Sequence, residues 1–367
     1  MDYVLDYFST LEDPRQSWKV VYPLQEILLV VLCGMIAGAD NFVEIERWAR
    51  RKEGFLRRFL PFKHGICSHD TLNDVMNALP CGLFSECFVN WVSSMREDDP
   101  DIISIDGKTS RRAHASDGRS LHLVSAWASR QRLVLGQEAC CEKENEISAI
   151  PRLLERLELS GALVTIDAMG CQHGIGDAIL SAGADYLLAL KQNQKSLHDE
   201  VGLFFDVAKG LDTHTTTDAG HGRIETRTAS ICHSVDWLNG DRSAPGEPRF
   251  RGLTTIAMIE AEVELKGETT CSKRFYISSA KLGAAQMLAA TRAHWGVENC
   301  LHWVMDVVFH DDLMRLRTEN GPANMAIIRH AALNIFKQIP DKASIKVRRK
   351  TAAWDEEYLF KAIKNLH

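Results

Sequence analysis

Apolar side chains recur at helical spacing through the first hundred residues. Leu24–Ile36 is a nearly continuous apolar run entered through Pro23, a residue suited to the first turn of a helix. Phe42, Ile45 and Trp48 repeat in three-residue steps and predict a helix over Phe42–Lys52. Ser68 is a good N-cap for a helix that begins at His69 and carries Leu72, Val75, Met76 and Leu79; Pro80 ends it. Phe84, Phe88, Trp91 and Val92 mark another. Short helices with compact turns suit a plain bundle or a helix-turn-helix.

The pattern changes at Asp101. Ile102–Ile105 is a short β-rich run that ends in Asp106-Gly107-Lys108, and Leu121–Trp127 and Leu133–Gln137 are the next strand candidates. A helix follows over Glu146–Leu157, to start or kink at Pro151. Strand Ala162–Ile166 runs into Asp167, then come helix Gly174–Ala182 and strand Tyr186–Leu190. The order β-β-β-α-β-α-β, with acids at the ends of the first and fourth strands, is the RNase H-like arrangement. Residues 195–210 read as a helix. Residues 211–280 read as a β-rich insertion, with strands His221–His233, Leu253–Leu265 and Lys273–Ser278 and loops Asp212–Gly220 and Asn239–Glu247. From Ser279 as N-cap, helix resumes through Ala284–Phe309, and a last long helix, Ala323–Gln338, leads to a basic tail.

The expected class is therefore α/β: an RNase H-like mixed sheet flanked by helices. An all-α N-terminal domain fills 1–98, for DNA binding or assembly. The core lies in two parts, 99–194 and 281–340, and the β-rich insertion, 195–280, precedes the helix that carries Glu298. The basic tail is 341–367.

Composition narrows this picture. Over 367 residues, 45% hydrophobic and 25% charged content exclude a disordered chain, and a net charge of −6 removes any global argument for nucleic acid. The case for DNA must be local. Arg47, Arg50, Arg51, Lys52, Arg57, Arg58 and Lys63 face only Glu53 over residues 47–63, and Arg329, Lys337, Lys342, Lys346, Arg348, Arg349 and Lys350 face only Asp341 over 329–350. None of the ten cysteines forms a CxxC pair, which argues against a zinc ribbon or redox dithiol. Ile27–Ala39 is too short to span a bilayer, and no basic segment opens the chain, so the expected compartment is the cytosol.

Asp106, Asp167 and Glu298 stand out. Leu301, Met305, Val308 and Phe309 follow Glu298 at helical spacing, which turns the glutamate inward with an apolar stripe. Converging carboxylates repel one another or demand a cation, and hard oxygen ligands favour Mg²⁺ or Mn²⁺ over zinc. Asp306 and Asp312 are rivals for the third place; Asp306 lies further around the helix.

The chain resembles the H-repeat-associated insertion-sequence transposases, bacterial DDE enzymes with an RNase H-like core. The resemblance rests on Ile105-Asp106-Gly107-Lys108-Thr109, Thr165-Ile166-Asp167-Ala168-Met169-Gly170-Cys171-Gln172 and Gly183-Ala184-Asp185-Tyr186. It also rests on Lys191-Gln192-Asn193-Gln194, His221-Gly222-Arg223-Ile224-Glu225 and the segment from His294 to Trp303. It implies Asp106, Asp167 and Glu298 as metal-binding catalytic residues, with Mg²⁺ as cofactor and Mn²⁺ able to substitute. Asp106 would bridge two ions, and Asp167 and Glu298 would each hold one. It implies double-stranded DNA with terminal inverted repeats and target DNA as partners, a homodimer in the synaptic complex, no membrane, and action at the nucleoid in the bacterial cytoplasm. The tyrosine, arginine and lysine common around the glutamate in the wider clan are here Thr291, His294 and Met305; Arg292, His294 and His302 are the candidates to replace that phosphate clasp.

Further DNA-contact candidates are Lys108, on the strand face of Asp106, with Lys191, Asn193, His221, Arg223, Arg50, Arg51, Arg348 and Arg349. Trp295 and Trp303 read as packing, and Trp237 as core or as a base-stacking platform. The competing functions are a catalytically inactive, transposase-derived DNA-binding protein and a cellular RNase H-fold nuclease.

Overall fold

A computed structural model describes residues 4–97, 99–114, 120–140, 145–220, 222–238, 250–314, 316 and 318–364. Its strands are β1 (Ile102–His114), β2 (Ser120–Ala128), β3 (Leu133–Ala139), β4 (Leu163–Ile166), β5 (Asp185–Leu190), β6 (Asp212–Gly220), β7 (Arg223–Cys232), β8 (Thr255–Leu265) and β9 (Glu268–Ser278). They form one sheet in the order β3-β2-β1-β4-β5-β9-β8-β7-β6. β1, β4 and β5 are parallel, and β2 runs antiparallel to both β1 and β3. The first five strands thus have the expected RNase H-like order.

Two strand expectations change. β1 does not stop before Asp106; it continues to His114, and Asp106 stays paired with Ser125 of β2 after the parallel partner has ended at Ile166. Asp212–Gly220 is a strand rather than a loop, paired along its whole length with β7. Eight of its nine residues are exposed, so no apolar alternation announces it. The β-rich block also continues the central sheet, because β9 pairs antiparallel with β5 from Leu187↔Ser278 to Leu190↔Phe275. Residues 239–249, which include the whole of the second expected loop, lie outside the described residues.

The N-terminal helices are α1 (Val4–Tyr7), α2 (Leu24–Ile36), α3 (Phe42–Arg51), α4 (Glu53–Leu56), α5 (His69–Ala78) and α6 (Cys81–Met95). Pro23 is the N-cap residue of α2, one place before the helix. The Ser68 hydroxyl accepts the Thr71 N–H at 3.3 Å, which caps α5 as expected. Ser68→Ala is expected to cost about 1 kcal/mol in urea denaturation.

The helices after β3 are α7 (Glu146–Leu154), α8 (His173–Ser181), α9 (Lys195–Val207), α10 (Ala284–His294), α11 (Trp303–Val307), α12 (Gly321–Gln338), α13 (Ile345–Trp354) and α14 (Glu356–Lys364). α7 starts at the Asn145 cap and contains Pro151. α12 is the central post, with all but its last two residues buried. Asn334 accepts the Val134 N–H and donates to the Val134 carbonyl, both at 2.9 Å, while Asn324 donates to the carbonyls of Met76 and Leu79. One continuous apolar core therefore joins the N-terminal helices to the sheet.

The chain after α12 is not a basic tail. Arg348 donates to the carbonyls of Phe336, Ile339, Asp341 and Ala343, which closes the C-terminal end of α12. Arg349 is 5% exposed and donates to the Met35 and Val308 carbonyls and to Asp40 at 2.6 Å. Neither guanidinium is free to meet a phosphate, which corrects the expectation of DNA contact there. Much of the N-terminal basic run is matched by acids too: Lys52 pairs with Glu356, Arg58 with Glu357 and Arg50 with Glu46. Arg51 is exposed. No helix among the described residues is long and apolar enough to cross a membrane.

Candidate active site

The last parallel pair of β1 and β4 is Ile105↔Ile166, so Asp106 and Asp167 emerge side by side. Asp167 is fixed by its own turn, accepting the N–H groups of Met169 at 2.9 Å and Gly170 at 3.4 Å. Asn193 braces that turn by donating to the Ala168 carbonyl at 2.7 Å, so its amide serves the loop rather than standing free for DNA. Glu298 joins from the other side of the sheet sequence. All three acids line one cavity of about 450 Å³, whereas Asp306 and Asp312 do not.

The helix that carries Glu298 is not continuous. α10 is capped by Gly283, and Ser279 instead bonds Asp185 and Tyr186. After α10 the backbone makes a π turn over Glu298–His302 before α11. Leu301 and Met305 are buried as expected, but the Glu298 side chain is 58% exposed at the cavity rim. The extra residue in the π turn breaks the 100° register on which the inward expectation rested.

Asp106 sits in a strongly perturbed environment. Burial, reinforced by the neighbouring charges of Asp167, Glu146 and Glu298, pushes its carboxyl up to about 7 against the opposing N–H of Gly107. His302 Nδ1 lies 3.1 Å from Glu298 and 3.5 Å from Asp106. His294 Nδ1 lies 3.0 Å from the Thr165 hydroxyl. Burial holds both imidazoles below their usual pKa, although Asp167 and Glu298 respectively oppose this.

The other predicted contacts divide. Lys191 lines the acidic cavity. Lys108 does share the face of Asp106, but its ammonium pairs with Asp306, lies 3.8 Å from Asp311 and is not presented to a phosphate. Arg292 pairs with Asp218, and Arg223 with Glu225; both line an adjoining groove of about 660 Å³. Thr291 donates to the Leu288 carbonyl and Met305 is core. His221 lies outside the described residues. Trp295 and Trp303 are exposed, at 53% and 56%, not packed, and Arg274 lies over the Trp295 ring. Trp237 stacks on Phe204.

Sequence reasoning missed Lys273 and Arg274, which face the cavity from β9, and the pair His122–Glu146 at 2.7 Å. Their partners are remote in sequence. The one available signal was Gly107: a Cβ there would collide with the Glu146 carboxylate and lie 2.7 Å from His122 Nε2. Gly107→Ala is expected to destabilise the protein by about 1–3 kcal/mol in thermal unfolding, by forcing that pair apart.

Acids offering close ligand atoms fit a divalent cation. Asp106, Glu298 and His302 present ligand atoms within 4.8 Å of one another, and Asp167 faces the same cavity. The strand order and this cavity define an RNase H-like protein of the DDE type. A family model described as "Transposase DDE domain" matches residues 97–335, and a second, "DDE_Tnp_1-associated", matches 5–92. The chain belongs to the DDE transposase family, among its H repeat-associated members. It is 36% identical over 364 residues to the H repeat-associated protein YhhI of Escherichia coli K12, covering 97% of this chain and 96% of that one. It is 37% identical over 368 residues to YncI of Escherichia coli O157:H7, covering 97% and 93%. The piggyBac transposase synaptic complex with hairpin DNA aligns with a TM-score of 0.46 and 9% identity, over 98% of this chain and 81% of that one.

Proposed function

We propose that the protein is the active transposase of a bacterial insertion sequence, cutting DNA at the element's ends and joining the released 3′-ends to target DNA. The observation that carries this reading is the emergence of Asp106 and Asp167 from adjacent parallel strands into a cavity shared with Glu298. Asp106, Asp167 and Glu298 would hold Mg²⁺, with Mn²⁺ able to substitute. Two such ions would supply activation of the entering oxygen and stabilisation of the leaving one. Asp106 would hold the metal as its carboxylate. Asn193 keeps the Asp167 turn in place, and Lys191, Lys273 and Arg274 meet the phosphates on either side of the cut. The groove with Arg223 and Arg292 receives the DNA beyond the cavity. Two ends must be processed together, so the working form is a homodimer on paired inverted repeats, acting at the nucleoid in the cytoplasm.

The test is incubation of the purified protein with DNA carrying the inverted repeats that flank its gene. Mg²⁺ or Mn²⁺ is expected to support end cleavage and then strand transfer. Binding without cleavage in either ion would identify an inactive DNA-binding descendant, and cleavage without joining would identify a cellular nuclease.

A further inference from the structure

His302 has one ring nitrogen beside Asp106 and Glu298, and the residue also lines a separate small space. The residue is 5% exposed. Its Nδ1, Glu298 and Asp106 offer three ligand atoms within 4.8 Å of one another. Its Nε2 is buried with no hydrogen-bond partner. The small space that His302 lines is about 20 Å³ and is lined also by Lys108, Ser125, Asp311 and His330. His330 is 5% exposed, and its Nδ1 is likewise buried with no hydrogen-bond partner among the described residues. That volume accommodates one water molecule, and a buried water is stable where it meets several polar groups.

A neutral imidazole has one donor and one acceptor nitrogen. A single water can accept from His302 Nε2–H and donate to His330 Nδ1, which satisfies both orphans at once. In that tautomer Nδ1 turns a lone pair toward two carboxylates, an arrangement that a cation makes favourable. Metal-bound histidines are commonly anchored in this way through the other ring nitrogen. The π turn places the two groups at its ends, Glu298 and His302.

We propose that His302 Nδ1 is a direct ligand of the divalent cation held by Asp106 and Glu298, anchored through one buried water to His330. The proposal rests on the metal-dependent reading above. A nitrogen in the donor set favours Mn²⁺ over Mg²⁺, since the softer Mn²⁺ accepts an imidazole ligand more readily than the hard Mg²⁺ does.

The test uses the full-length protein, Mn²⁺ alone as probe, and pulsed electron paramagnetic resonance. A directly bound ¹⁴N is expected, and growth on ¹⁵N-histidine should convert its coupling to that of ¹⁵N without any mutation. His302→Gln should abolish the coupling and lower the preference for Mn²⁺ over Mg²⁺. His330→Ala should keep the coupling and weaken Mn²⁺ binding by about tenfold or more. Mn²⁺ bound in a site lost on Asp106→Asn, yet with no coupled nitrogen, would overturn the inference and leave the metal-dependent reading standing. Absence of any Asp106-dependent Mn²⁺ site would overturn both. An unchanged affinity in His330→Ala would overturn the water anchor.

Discussion

Asp106→Asn is expected to lower divalent-cation-dependent DNA cleavage by at least about 10³-fold while leaving the metal-free protein as stable as the original or more so. Asparagine preserves size and can still accept from the Gly107 N–H, but it removes the negative charge on which the proposed metal site turns. Metal stabilisation of transition-state charge contributes several kcal/mol, and each 1.36 kcal/mol is about tenfold in rate. The stability half follows from proton linkage. Burial raises the Asp106 carboxyl from 3.8 to about 7 in the folded, metal-free chain. Its favourable contribution is complete below the unfolded value and is lost as pH rises through the folded one. Asparagine has no proton to lose. The melting temperature of the variant should therefore gain on the original between pH 4 and pH 7, with a ceiling of a few kcal/mol, and the gap should shrink when Mn²⁺ is added. Equal melting curves at pH 4.5 and pH 8 in chelator would remove burial of this acid as a physical cause.

Arg349→Ala is expected to cost about 3–5 kcal/mol of folding stability, the loss typical of breaking a buried ion pair from one side. The guanidinium ties α13 to the end of α2 through the Met35 carbonyl, to the Val308 carbonyl and to Asp40, and lies over the Phe309 ring. Alanine leaves all of these polar groups without that donor. Arg349→Lys should recover only part of the loss, because a point charge cannot address several acceptors as a planar fork does. The contrast is Arg51→Ala, at an exposed position, expected to leave urea denaturation within about 0.5 kcal/mol and to reduce the salt slope of DNA binding by about one. A normally stable Arg349→Ala protein with weakened DNA affinity would reverse the assignment.

These two arginines show where sequence reading reaches its limit. A run of basic residues looks the same whether its heads point into solvent or close the end of a helix, and only the fold decides. Arg348 and Arg349 belong to the second kind. Helices α2 and α5 were legible because an unbroken apolar run and a Ser68 cap are local signals. The first two acids were legible for a similar reason, since each follows a short apolar strand and precedes a turn. Glu298 was legible as a residue but not in its orientation, because no local pattern marks the π turn. β6 was unreadable, since a strand exposed on both faces carries no alternation. Glu146 and His122 were out of reach because they meet Gly107 only through tertiary packing.

The seam between β5 and β9 sets a boundary for protein engineering. A minimal nuclease cut free of residues 212–278 would strip β5 of its outer neighbour and expose a row of unpaired backbone groups, a template for aggregation. Trimming should instead begin at the distal β6–β7 hairpin and leave β9 in place, because that strand both seals the sheet and carries Lys273 and Arg274 to the cavity.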